Sequence, residues 1–447
     1  LSAGIAGATV RAAGFSDFNV GGTRAAELPV GVRIYGPGAS VAQDIEPEYI
    51  ATNNQKAFVS LQENNALARI DIATARVDAI FALGTKDHSQ VGNGLDPSDR
   101  DGGIAIGNWP VQGMYQPDTI ALIERNGVPY VLTANEGDTR DYDGYSEESR
   151  VKDLVLDPIA FPNAAVLRQD AQLGRLTVTT ANGDDDADDD FDRLFVPGAR
   201  SFSVWNGTSG SQVFDSGDSF EQVTAMLVPT LFNSQGAAAS FDSRSDNKGP
   251  EPEALAVGNV GGRQFAFIGL ERIGGVFVYD VNSPTQPQRV SYNPAEGGDL
   301  SPEGMAFIDA ANSPNGRALL LIAHEVSGTL GVYQINACVV SAIAATPTGI
   351  TVTGDCPGGF DLYRNGQLVQ AGVVLDGSVT VALAGQMGDR YFAALPGQTD
   401  PINGIAVTVP AAPLSDAARM IPTMDRFGQL LLVLSVLLIS GLALRQR

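Results

Sequence analysis

Between about residues 25 and 337, short apolar runs are separated by polar turn clusters about every 8–12 residues, and apolar and polar positions alternate within many runs. That pattern predicts β-strands joined by tight turns rather than amphipathic helices. The most legible stretch has runs at 49–51 and 57–61 around Asn53-Asn54-Gln55. Two further runs, at 68–72 and 77–83, flank Ala73-Thr74-Ala75. Four strands in about 40 residues match one blade of a β-propeller. A stretch from Glu253 to Tyr292 repeats the scheme, and another begins at Glu303 and ends at Ile335. At about 45 residues per blade the span predicts seven blades, with residues 1–24 as a lead-in belonging to the closing blade. The interval from Pro117 to Pro252 is long for its share, so insertions are expected there. The largest polar insertions are 85–108 and 135–152; long loops on one face of a β-scaffold are where binding or catalysis sits.

One phrase occurs four times: a proline and an acid, an apolar strand, a turn, a second apolar strand, a glutamate. Its acids are Glu48 and Glu63, Asp118 and Glu136, Glu253 and Glu271, and Glu303 and Glu325. In a propeller the inner strands face a central channel, so equivalent corners ring its mouth. Carboxylates converging there suit calcium, which takes six to eight oxygens at about 2.3–2.6 Å. The competing reading is local, because acids after proline also begin turns and strands as solvated or hydrogen-bonded groups.

Two other clusters carry possible chemistry. In Asp184-Asp185-Asp186-Ala187-Asp188-Asp189-Asp190-Phe191-Asp192, residues Asp184, Asp186, Asp188 and Asp192 have the 1-3-5-9 spacing of a calcium loop. Its sixth position is Asp189 instead of glycine and its twelfth Phe195 instead of glutamate, so a solvated acidic loop is the alternative. The segment from Ser243 to Glu251 sets Arg244, Asp246 and Lys248 together ahead of the third repeat. Basic groups beside a metal commonly hold phosphoryl oxygens, whereas the plainer reading is a salt-bridged loop. His324, next to Glu325, is a further ligand candidate, although a lone histidine is more often structural.

Composition narrows the partners. Charged residues make up 18 %, the formal net charge is −23, and glycine numbers 51, which suits a loop-rich β-protein. Clustered Lys and Arg are missing, so nucleic acid is not expected as a partner. No Walker loop or Gly-x-Ser-x-Gly elbow occurs, and no organic cofactor is indicated.

Residues 338–410 hold few charges and read as a small β-sandwich-like domain. Cys338 and Cys356 fall within it and suggest a local disulfide in an exported protein, with two buried thiols as the alternative. Residues 411–427 form a linker. Residues 428–447 contain a nearly unbroken apolar run followed by Arg445-Gln446-Arg447. The run is at the short end for a bilayer span, and the arginines orient it with the long N-terminal part outside. The expected fold is therefore all-β: a propeller over 25–337, a small β domain and a C-terminal transmembrane helix.

Asp96-Pro97-Ser98-Asp99-Arg100-Asp101-Gly102-Gly103, Ala134-Asn135-Glu136-Gly137-Asp138, Asp141-Tyr142-Asp143-Gly144-Tyr145, the segment 243–253, and Gly269-Leu270-Glu271-Arg272-Ile273-Gly274-Gly275 resemble the bacterial choice-of-anchor I domain over about residues 15–337. The resemblance implies an exported seven-bladed propeller, similar to surface proteins of alkaline-phosphatase-like type, and lends no catalytic roles. Residues 46–84 are also similar to YVTN-type propeller repeats. Ile421-Pro422-Thr423-Met424, placed before the apolar run and basic end, resembles the IPTL-CTERM sorting signal, with Met424 where that signal has leucine. This implies contact with a sorting machinery, and either retention as an anchor or removal by cleavage. The expected function is a propeller of the bacterial cell envelope, periplasmic or surface-exposed, binding calcium and a ligand or surface polymer at its channel mouth. The alternative is a metal-dependent phosphoesterase, alkaline-phosphatase- or phytase-like, in which the eight repeat acids serve as ligands or bases and Arg244 and Lys248 steady the phosphate.

Overall fold

The computed structural model describes residues 9–295, 298–335, 339–346, 349–383, 389–394, 406–408 and 435–436. Among the described residues strands dominate, and the longest helix is Ser219–Leu227. Three four-stranded antiparallel meanders carry the predicted pattern. The first comprises Ile50–Thr52, Lys56–Leu61, Ala66–Asp71 and Arg76–Ala82. The second comprises Ile120–Arg125, Val128–Asn135, Ser201–Asn206 and Gln212–Asp215, and the third Pro252–Val260, Arg263–Leu270, Val276–Asp280 and Gln288–Asn293. A fourth sheet has Pro302–Ile308, Ala318–His324 and Thr329–Ile335, with Ser435–Val436 pairing on the last.

Turn chemistry sets these registers. Asn126-Gly127 and Gly261-Gly262 close two-residue loops with both φ angles positive, as the right-handed twist of a hairpin demands. Apolar faces of successive sheets then meet. Phe58, Leu67, Ile120, Val131 and Trp205 pack between the first and second. Phe202, Ala266, Ile268, Phe277 and Tyr279 join the second to the third, and Phe267, Val278, Leu320 and Ile322 the third to the fourth. First strands touch across these seams: Pro252–Val260 contacts Ile120–Arg125 on one side and Pro302–Ile308 on the other. Within the lead-in, Phe15 and Phe18 pack on the first sheet.

Among the described residues four sheets have this form, where the residue count predicted seven blades. Much of the difference is spent in residues 83–119 and 136–200, which interrupt the series. They form a three-stranded and two two-stranded sheets around a core of their own, including Leu95, Val111, Val151, Leu173 and Val196. C-terminally, the described residues between 339 and 408 contribute one five-stranded sheet. Gly349–Arg364 runs through Pro357-Gly358-Gly359 by irregular pairing with Gln367–Val381. Among the described residues no helix is long and apolar enough to cross a membrane. Of the apolar run only Ser435–Val436 is described. The expected transmembrane helix, Cys338 and the sorting residues Ile421, Pro422 and Thr423 lie outside the described residues, as does the Cys356 side chain.

Candidate functional site

Each hairpin delivers its two acids to the same sheet end. Antiparallel pairing places the start of one strand opposite the end of the next. Asp118 N donates to Ala134 O at 3.1 Å, so Asp118 and Glu136 flank one corner, and Glu48 N donates to Ser60 O at 3.1 Å likewise. Pro252 pairs with Leu270 and Pro302 with His324. The last two registers shift just after the proline, and irregularities of this kind re-aim side chains at sheet ends. The residue before the proline is left-handed in three repeats: Gln116 at φ 36°, Glu251 at 50° and Ser301 at 64°. Non-glycine residues before proline avoid this conformation, so the surrounding structure must hold it. Gln116 shows how: its side-chain amide donates to Asp138 O and accepts from Gly198 N.

The corners of the second and third sheets meet in a buried carboxylate cluster. One oxygen each of Asp118, Glu136 and Glu253 lie within 4.8 Å of one another, and the same holds for Glu136, Glu251 and Glu271. Opposite ligands of a calcium ion at about 2.4 Å are about 4.8 Å apart, so either triad has the span to face one ion. Basic groups are unevenly shared. Lys248 pairs with Glu136 and stands 3.9 Å from Glu251. Arg244 contacts Glu251 at 2.5 Å, while Arg272 reaches Glu251 at 3.4 Å and Glu271 at 2.8 Å. Arg244 and Lys248 therefore do stand beside the acids, but with their charge already matched. Glu63, Asp118 and Glu253 have no ion-pair partner among the described residues. Glu63 Oε2 and Glu253 Oε2 also lack any hydrogen-bond partner, on side chains of residues only 7 % and 8 % exposed.

Such crowding makes ionisation difficult. Burial, then the charge of Glu136, pushes the Asp118 carboxyl up to about 8. Glu253 is pushed up to about 11 by burial and by Glu136, Glu271 and Asp118. Glu271 and Glu63 rise to about 7, chiefly by burial. Glu136 is raised by burial, although Lys248 pulls it down. Lys248 is itself raised, since Glu136 and Glu251 outweigh the effect of its burial. Glu48, on the exposed rim, rises to about 8 through desolvation and the charge of Glu63. Half-buried Glu303 adds its charge to those raising Asp118 and Glu253.

Other sequence candidates lie apart. Glu325 is exposed at the end of the fourth hairpin and joins neither triad. His324 precedes it, buried and with Nδ1 unpartnered, and burial lowers its pKa. Asp246 is an anchor: Arg150 at 3.0 Å and Arg175 at 2.8 Å tie it to the 136–200 excursion. In the acidic loop Asp184, Asp186 and Asp192 gather within 4.8 Å, without Asp188. Their backbone and side chains are linked internally: Asp184 accepts from Ala187 N at 2.7 Å and Asp192 from Asp185 N at 2.8 Å. The sequence reading missed Glu251 and Arg272 as site residues. Their only signals were Glu251's position between two prolines and Arg272's adjacency to a repeat acid.

Serial β-meanders whose hairpin ends converge on one buried carboxylate cluster define a β-repeat protein with its site at the sheet ends. The chain belongs to the choice-of-anchor I domain family, whose model matches residues 1–284. Two curated relatives are animal proteins. Gigasin-3a of Magallana gigas is 33 % identical over 191 residues, covering 38 % of this chain and 67 % of that protein. Mesenchyme-specific cell surface glycoprotein of Strongylocentrotus purpuratus is 28 % identical over 332 residues, covering 66 % of this chain and 41 % of that protein. The bacterial origin implied by the resemblance is thus not a property of every relative. Among solved structures, the computationally designed Ika4 protein superposes with a TM-score of 0.26 at 8 % identity, over 65 % of this chain and 91 % of its own. The periplasmic gluconolactonase of Pseudomonas aeruginosa gives 0.19 at 13 %, over 88 % and 91 %. Similarity at that level carries no argument about fold or function.

Proposed function

We propose that this protein is an exported β-propeller of the bacterial cell envelope that binds a divalent cation, calcium by preference, where the hairpin corners meet. Asp118, Glu136 and Glu253 are the ligands, and the bound ion forms the floor on which a ligand or surface polymer docks. The observation that carries this reading is the unpartnered Glu253 Oε2, buried within a triad that has more acid than base. An oxygen-only donor set favours calcium over softer metals. The serial contact of first strands supports a radial arrangement, with the expected seven blades as the full ring. The C-terminal apolar run and sorting motif serve as a membrane anchor, retained or removed.

The phosphoesterase reading has less support, because Arg244 and Lys248 are engaged by Glu251 and Glu136 and neither is free to take a phosphate. Metal analysis of protein purified without chelator, with melting curves in calcium and in EDTA, tests the proposal. Calcium in the protein and a fall in melting temperature on chelation are expected, since an ion bound only to the native state stabilises it by mass action. Protein free of metal, with the same melting curve in both conditions, refutes it.

A further inference from the structure

Two carboxylate triads share Glu136, yet they are furnished differently. Asp118 and Glu253 of the first have no ion-pair partner among the described residues, and Glu253 Oε2 has no hydrogen-bond partner. Around the second, Lys248 Nζ contacts Glu136 and lies 3.9 Å from Glu251, while Arg244 and Arg272 hold Glu251 from the other directions. Glu251 is fully buried and sits in a left-handed conformation between Pro250 and Pro252. Its carboxylate lies in the cluster with those of Glu136 and Glu271. The chain has thus built two adjoining oxygen sites and supplied an ammonium to one.

We propose that Lys248 is a tethered cation filling the second triad, so that the native cluster takes up a single divalent ion at Asp118, Glu136 and Glu253. The inference rests on the cation site proposed above and goes beyond it by assigning the stoichiometry to one side chain. An ammonium carries one charge and a fixed tether. It neutralises Glu136 and Glu251 without the six to eight oxygens that a calcium ion in the same place would gather. It also leaves Glu136 with an oxygen to offer the first triad, since a carboxylate has about four acceptor positions. Lys248 is held on the segment 243–251, which Asp246 ties down through Arg150 and Arg175. The ammonium is therefore a fixed part of the site, unlike a freely moving surface lysine.

Removing the ammonium should open the second triad to an ion. The test is calcium stoichiometry by calorimetric titration and metal analysis on the full chain. The background carries Asp186→Asn and Asp192→Asn to silence the surface loop. One ion is expected in the background protein, two in Lys248→Ala, and one again in Lys248→Ala combined with Glu271→Gln. Lys248→Arg, which keeps the charge, should stay at one. If Lys248→Ala folds only when calcium is present, refolding with two ions bound supports the inference, and failure to refold with calcium overturns it. A Lys248→Ala protein that binds no more calcium than its background also overturns it. A background protein that binds none refutes the underlying cation site instead, so the two failures are read separately.

Discussion

Metal-free protein should lose stability as pH rises, contrary to the usual behaviour of carboxylates that gain partners on folding. In the unfolded chain Asp118 and Glu253 ionise near ordinary values of about 4. In the folded protein they hold their protons to about 8 and about 11. Between those limits the folded state binds more protons than the unfolded state, so its stability falls with pH. Each such group contributes a slope of about 1.4 kcal/mol per pH unit, so the pair sets a slope of up to about 3. Buried His88 acts in the opposite sense at lower pH, because burial lowers it to about 3 and the unfolded chain takes up its proton first. Its effect ends above about pH 6.5, which leaves about 6.5 to 8 as the window in which the histidine no longer opposes the carboxyls. Over that window the pair's loss comes to about 4 kcal/mol, just below the low end of the roughly 5–15 kcal/mol that holds an ordinary domain together. Calcium should reverse the trend, because it binds the deprotonated ligands and releases their protons. At a free concentration a hundred times Kd it should add about 2.7 kcal/mol. Urea unfolding across this pH window, in EDTA and in calcium, measures both effects. Metal-free stability that is flat or rises over the window refutes the buried, partly protonated cluster.

Three other outcomes are expected. Glu253→Gln replaces, at nearly constant shape, a carboxyl that must take up a proton on folding at neutral pH, so it should raise the metal-free melting temperature there and, in the Asp186→Asn, Asp192→Asn background, abolish calcium binding in a titration. Gly137→Ala should destabilise by about 2 kcal/mol or more and weaken calcium binding. A Cβ there would meet Gly198 N at 2.0 Å, with φ at +91°, directly after Glu136. Arg200→Ala should cost about 3–5 kcal/mol in urea unfolding, the range for breaking a buried ion pair. It strands Glu221, which Arg200 contacts at 2.5 Å, and removes donors to Asp96 O, Ser245 O and Asn247 O.

The hairpins were legible in the sequence because their period-two pattern and turn residues are local properties. The acids could be ranked as a set because antiparallel pairing fixes which ends of two strands coincide. Which corners meet was not legible. Glu325 carries the same phrase as Glu136, yet it ends on an exposed turn while Glu136 is buried against Lys248. The left-handed backbone at Gln116, Glu251 and Ser301 was equally hidden, since local preference before proline argues against it. Glu251 therefore read as part of a charged loop and not as a cluster acid. Among the described residues four meanders stand where the residue count predicted seven blades, in part because residues 136–200 fold with 83–119 around a separate core between the second and third strands of one sheet.

Diffraction at an absorption edge from crystals soaked in manganese or a lanthanide, ions that replace calcium at oxygen sites, tests the central claim most directly. An anomalous peak within bonding distance of Asp118, Glu136 and Glu253 is the expected result. Peaks confined to the loop of Asp184, Asp186 and Asp192, with none among the hairpin corners, would contradict it.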